Sequence, residues 1–282
     1  MTLKNLKFLI FVLSLPTCVH DTKQKDKLKI FLTKDHVELS LNLLNNASTS
    51  YKKYKNIISD VKKATTDGQW NRSIKVIKLF LGRHPYDNLA MSLLAFSYYK
   101  SGSLRKAAYF SKLVLNKDQD NPIALNLLGI MLLKKSKILN DFRNAKTHFY
   151  QAFQNNPTEI AAGLNLAYLQ LSLGNALAAE KTFLELSKRC DSCAIASLGL
   201  AISYMRLEKP LQAKNLLETL QKSQKLHAIS SYHLALYSKN ILHDKEHSNS
   251  ILKEALQTDR LHNNSEIKKR IKELIDSNSQ QL

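Results

Sequence analysis

Few groupings of residues in this chain could do chemistry. Cys190-x2-Cys193 is the tightest. Two cysteines at that spacing serve as a redox dithiol or as half of a zinc site. The redox fold needs a βαβ setting, which is missing here, and zinc needs two more ligands with no His near in sequence. A local disulfide tying a turn and a pair of free thiols are the readings left. His243-x3-His247 would put two imidazoles on one helical face, but the stretch falls between helical patterns, so surface histidines are expected. Asn46-Ala47-Ser48 and Asn71-Arg72-Ser73 fit the glycosylation acceptor pattern, which matters only in a eukaryotic source. No nucleophile–base set, phosphate loop or metal-ligand set is evident. The chain is therefore read as a non-enzyme, with no catalytic residue, cofactor or metal.

The third cysteine, Cys18, has a different setting. Met1–Lys7 holds Lys4 and Lys7 and no acid, Phe8–Leu15 is apolar apart from Ser14, and Pro16-Thr17-Cys18 follows. A basic start, a short apolar run and a break make up a secretory signal peptide. A spanning helix needs about 20 apolar residues, so this run is too short to cross a bilayer. Leu15-Pro16-Thr17-Cys18 resembles the lipobox of bacterial lipoproteins. That resemblance implies lipidation of Cys18, removal of residues 1–17 and, with Val19 after the cysteine, an outer-membrane anchor facing the periplasm. A plain secreted or periplasmic protein is the other address. Lys23, Lys25, Lys27 and Lys29 follow closely and would meet anionic lipid there.

The elements behind these residues are helical. The chain has 282 residues, of which 44% are apolar and 23% charged, a globular balance that excludes wholesale disorder. Only 7 Gly and 5 Pro argue against a turn-rich β protein. The net charge of +19 allows a nucleic-acid reading, but the export signal and the lack of any nucleic-acid motif argue against it.

A repeat organises residues 54–262. Ala145-x3-Phe149-x2-Ala152-x4-Pro157 and Ser73-x3-Ile77-x2-Phe80-x4-Pro85 share one spacing, and Ala213-x3-Leu217-x2-Leu220 repeats it without the proline. Leu94-Ala95, Leu128-Gly129, Leu166-Ala167, Leu200-Ala201 and Leu234-Ala235 mark a preceding helix in each case. In register the units start at Tyr54, Asn88, Pro122, Ile160, Ala194 and Ala228, with spacings of 34 except for a 38-residue third unit. The extra residues fall around Lys135–Arg143, and Gly68, Gly102 and Gly174 all fall at position 15, the turn between helices.

This pattern resembles the tetratricopeptide repeat, a helix–turn–helix unit. The resemblance implies an all-α, right-handed α-solenoid of about six units with a C-terminal capping helix. Residues 18–53 are expected to be anchor and basic linker, and 263–282 the cap and tail, with Ile267, Ile271, Leu274 and Ile275 on one face. It also implies that positions 2, 5, 9, 12 and 13 of each first helix line a concave groove. Read at those positions, the groove contains Phe96, Tyr99, Asn126, Ile130, Leu164, Tyr168, Leu198, Ile202, Met205 and Tyr232, with Lys100, Lys134 and Arg206 along one rim. An apolar trough with a basic rim suits an amphipathic helix or an apolar peptide with acid on its flank. The layout of anchor, repeats and no enzyme domain is similar to the lipoproteins of type IV pilus biogenesis that assist secretin assembly. The expected role is to hold a protein client in the envelope, with a scaffold for an anionic polymer or membrane surface as the alternative.

Overall fold

The computed structural model describes residues 51–135, 139–156, 160–190, 193–223, 227–257 and 265–279. The signal segment 1–17, Cys18 and the linker as far as residue 50 lie outside them. The described residues form thirteen α-helices and no strand. In chain order these are α1 (Tyr51–Asp67), α2 (Trp70–Arg83), α3 (Asn88–Lys100), α4 (Leu104–Leu115), α5 (Pro122–Lys135), α6 (Leu139–Asn155), α7 (Ile160–Ser172), α8 (Ala176–Arg189), α9 (Ala194–Arg206), α10 (Pro210–Lys222), α11 (His227–Asn240), α12 (Lys245–Gln257) and α13 (Ser265–Ser279). No described helix is long and apolar enough to cross a membrane. The molecule divides into two compact units, one ending at Leu166 and the other beginning at Ala167.

Local chemistry sets the helix ends. Asp87 accepts the Ala90 N–H at 3.0 Å, Asn121 that of Ala124 at 3.1 Å, and Asn175 that of Ala178 at 3.1 Å. Each bond satisfies an amide that the first helical turn leaves without a partner. Pro210 opens α10, where a missing N–H costs nothing. Between paired helices the chain must reverse through a left-handed residue, and Gly102 (φ 87°) and Gly174 (φ 80°) supply it. In the fifth repeat the same place is taken by Glu208, at φ 55°. The insertion in the third repeat goes into α6, which is 17 residues long.

In the first unit α1 packs on α2, α3 on α4 and α5 on α6, and α3 also meets α1, α2 and α5. The seams close over small residues. Ser73, Ala107 and Ala145 are buried on the second helices, as Ala95 is on α3. Ser73 and Ser97 hydroxyls meet at 3.2 Å, which satisfies two polar groups inside the seam. Gly129 faces Phe149: a Cβ there would lie 2.6 Å from the ring. Hence only glycine lets α5 approach α6 with that ring in place. Burying a ring such as Phe149 or Phe153 contributes roughly 2–3 kcal/mol.

In the second unit α8 packs on α9, α9 on α10, α10 on α11, α11 on α12 and α12 on α13. Ala179, Ala213 and Ser248 occupy the equivalent small-residue places and are buried. Ile271 is fully buried and Leu274 nearly so. Lys239 Nζ donates to Ser277 Oγ at 2.9 Å, and Asn278 Nδ2 donates to Ser248 and Asn249 at 3.2 and 2.7 Å. These bonds seat α13 on α11 and α12.

Candidate partner-binding wall

Each first helix is apolar on more than one side, so more than its own hairpin covers it. In α3 every residue from Ala90 to Tyr98 is buried, and in α9 every residue from Ile195 to Ser203 except half-buried Ser197. The ten side chains read as groove-lining sit on these helices and their equivalents.

In the first unit Phe96, Asn126, Ile130 and Leu164 are buried and Tyr99 is half-buried. Phe96 meets the Trp70 ring edge-on, with centroids 5.6 Å apart. Asn126 accepts a hydrogen bond from Asn165 Nδ2 at 2.9 Å, linking α5 to α7. Lys134 Nζ lies 4.4 Å from the Tyr99 ring centroid. Burial pushes the Tyr99 hydroxyl up to about 12 and lowers the Lys134 ammonium, because both charged forms lose water.

In the second unit Tyr168, Leu198, Ile202 and Tyr232 are buried and Met205 is half-buried. Tyr168 donates its hydroxyl to the Ile195 carbonyl at 3.0 Å and meets Phe183 edge-on at 5.1 Å. Its role is to bolt α7 to α8 and α9. The rim cation Arg206 donates to the Leu171 carbonyl at 2.6 Å, at the end of α7, where a cation complements the helix dipole.

This differs from an open trough. Eight of the ten residues have less than a tenth of their surface exposed. The reason is their period: apolar residues at positions 2, 5, 9 and 12 lengthen the apolar stripe that already forms the seam, and water leaves the whole stripe. Of the ten, only Tyr99 and Met205 keep an appreciable part of their surface in contact with solvent.

Cys190 and Cys193 are free thiols, both half-buried, at the end of α8 and the start of α9. Burial, chiefly, and the neighbouring Cys190 thiol push the Cys193 thiol up to about 12. A thiol held protonated is a poor nucleophile. His243 lies in the α11–α12 turn at φ 55°, while the His247 N–H is capped by Asp244 at 2.8 Å in the first turn of α12. Among the described residues no group of three or more His, Cys, Asp or Glu could hold a metal ion.

Two interactions escaped the sequence reading. Lys209 Nζ contacts Glu180 Oε1 at 2.7 Å, and Tyr54 donates to Asp87 Oδ2 at 2.8 Å. Both pairs are about one repeat apart, and repeat-spaced opposite charges or hydroxyl–carboxylate pairs are the signal that would have found them.

No family model matches the chain, and no curated protein matches it. Solved structures do. A tetratricopeptide repeat protein from Parabacteroides merdae superposes with TM-score 0.52 at 19% identity, covering 86% of this chain and 91% of its own. PilF of Pseudomonas aeruginosa gives TM-score 0.62 at 16% identity, covering 78% of this chain and 97% of its own. The C-terminal part of a TPR repeat-containing protein from Cytophaga hutchinsonii gives 0.52 at 14%, covering 88% and 98%. The helix pairs, the small-residue seams and these superpositions agree: the chain has the fold of the tetratricopeptide-repeat proteins to which it is similar.

Proposed function

We propose that the protein is a non-catalytic binding module of the cell envelope, anchored through lipid on Cys18 and facing the periplasm. There it holds an apolar peptide or amphipathic helix of a client and assists assembly of a complex such as a pilus secretin. The observation that carries this reading is the pair of half-buried side chains, Tyr99 and Met205, that the otherwise closed first helices leave within reach of solvent. The PilF likeness and the lipobox-like start of the chain support the same setting.

Photo-crosslinking in living cells tests it. A crosslinker at Tyr99 or Met205, both half-buried, is expected to capture one envelope protein. A crosslinker at Tyr150, 54% exposed on α6, is the control. Equal capture from Tyr150, or none from Tyr99 and Met205, ends the reading. The anchor is tested apart from the client: Cys18→Ala is expected to release the chain from the membrane fraction, and unchanged attachment removes the lipid from the proposal.

The net charge of +19 favours a second reading, a scaffold for an anionic polymer or membrane surface. Salt separates the two. An apolar client stays bound at 1 M salt, where the screening length is about 3 Å, whereas a polyanion leaves.

A further inference from the structure

The α1–α2 turn and the end of α3 flank an open surface cavity of about 550 Å³ on the first unit. Its walls come from Gln69, Trp70, Asn71, Arg72, Lys100 and Ser101, with Gly68 at the edge. That composition is selective. It offers one aromatic plane, two side-chain amides, one hydroxyl and two cations, with no aliphatic side chain and no carboxylate. Small-ligand pockets are as a rule lined mainly by hydrophobic groups, and the polar lining here departs from that rule. A ligand that matches this set is hydroxylated, presents an apolar face to an indole and carries a negative charge.

From this chemistry we propose that the cavity binds an acidic saccharide, a uronic-acid unit within a glycan. This goes beyond the client reading and does not depend on it.

The geometry gives each residue a task. Trp70 is half-buried and is braced edge-on by Phe96 at 5.6 Å, with planes at 83°, so the indole is held in place before any ligand arrives. Lys100 Nζ lies over the same ring, 5.6 Å from its centroid, which places a positive charge on one side of the indole, where a ligand carboxylate would meet it. Arg72 is 58% exposed and touches Asp60 through Nε at 3.3 Å, which orients the guanidinium. Its two Nη groups suit a carboxylate. The Asp67 carboxylate is turned to the Gln69 N–H at 3.0 Å. Gln69 and Asn71 amides can bridge neighbouring hydroxyls. The cavity volume lies within the roughly 300–1,000 Å³ usual for small-ligand sites.

Trp70 is the one tryptophan of the chain, so its emission reports on this cavity alone. The experiment titrates the full chain with a galacturonic-acid disaccharide, with maltose and tri-glutamate as comparison probes. A saturable emission change with the uronate is expected, with maltose and tri-glutamate each weaker by about tenfold or more. Arg72→Gln and Lys100→Gln should each weaken the uronate about fivefold to tenfold, as loss of a charge-assisted contact does. Arg143→Gln, an exposed charge on α6, should leave it unchanged, and circular dichroism melts check that the variants fold. No saturable change overturns the proposal. So does maltose or tri-glutamate binding as well as the uronate, because the site would then not read an acidic sugar. An equal loss in Arg143→Gln overturns it too, because binding would then be diffuse charge attraction.

Discussion

His233 shows how one residue sets a pH response. It is fully buried in α11, and neither ring nitrogen has a hydrogen-bond partner. Burial lowers its pKa from 6.5 to about 3. The unfolded chain therefore takes up this proton near pH 6.5 and the folded chain does not. The contribution to stability is fully present above pH 6.5, erodes as pH falls and levels off near 3. Its slope reaches about 1.4 kcal/mol per pH unit. His233→Leu removes this component, and urea melts at pH 7.5 and 5 are expected to show a smaller acid loss in the variant. At pH 7.5 the variant should be as stable or slightly more so, since an unpaired buried group is replaced by an apolar one. Gly199 makes the opposite case. A Cβ there would overlap the Phe183 ring, which is fully buried and held edge-on by Tyr168. Alanine gains about 1 kcal/mol in helix propensity but overpacks by about 1–3 kcal/mol. Gly199→Ala should thus lower unfolding stability by up to about 2 kcal/mol in the same urea assay.

Elements are joined by turns that make a uniform demand. Gly102 and Gly174 meet it with a left-handed backbone, and Glu208 meets the same demand with a side chain. A left-handed residue other than glycine costs about 1–2 kcal/mol, part of which glycine's own entropy would offset. Glu208 is exposed, so Glu208→Gly should raise stability by about 0.5–1 kcal/mol, read as a higher Tm. The end of the second unit shows the other requirement of stacked helices, a cover. Ile271 is fully buried on α13, and Ile271→Ala should cost about 2–4 kcal/mol, measured by urea denaturation. If the cost is near zero, α13 does not cap the stack.

For the whole molecule, charge and apolar surface respond to salt in different ways. The +19 charge draws in anions at low salt and loses its reach as salt rises. Buried wall residues such as Ile130 and Ile202 feel no such screening. Binding of heparin, a simple polyanion, should weaken steeply between 0.05 and 0.5 M salt, while capture at Met205 should not. Parallel loss of both would place the client on the basic surface.

Much of the architecture was legible in residue order. Small residues recur where helices meet at closest range, because a larger side chain would push them apart, and Ala107, Ala145, Ala179 and Ala213 are buried where the period places them. Turn glycines mark the reversals for a similarly local reason. Local sterics and period are properties of the chain itself, and they determined an all-helical protein of paired helices. Solvent access is a property of what lies against a surface from elsewhere. Spacing put Phe96, Tyr168 and Ile202 on one helical side, but only the packed structure decided that this side is closed to water. The bond from Arg206 to the end of α7 and the cavity beside Trp70 were decided in the same way. Each depends on groups far apart in sequence meeting at a few ångströms, a condition that no single-helix pattern contains.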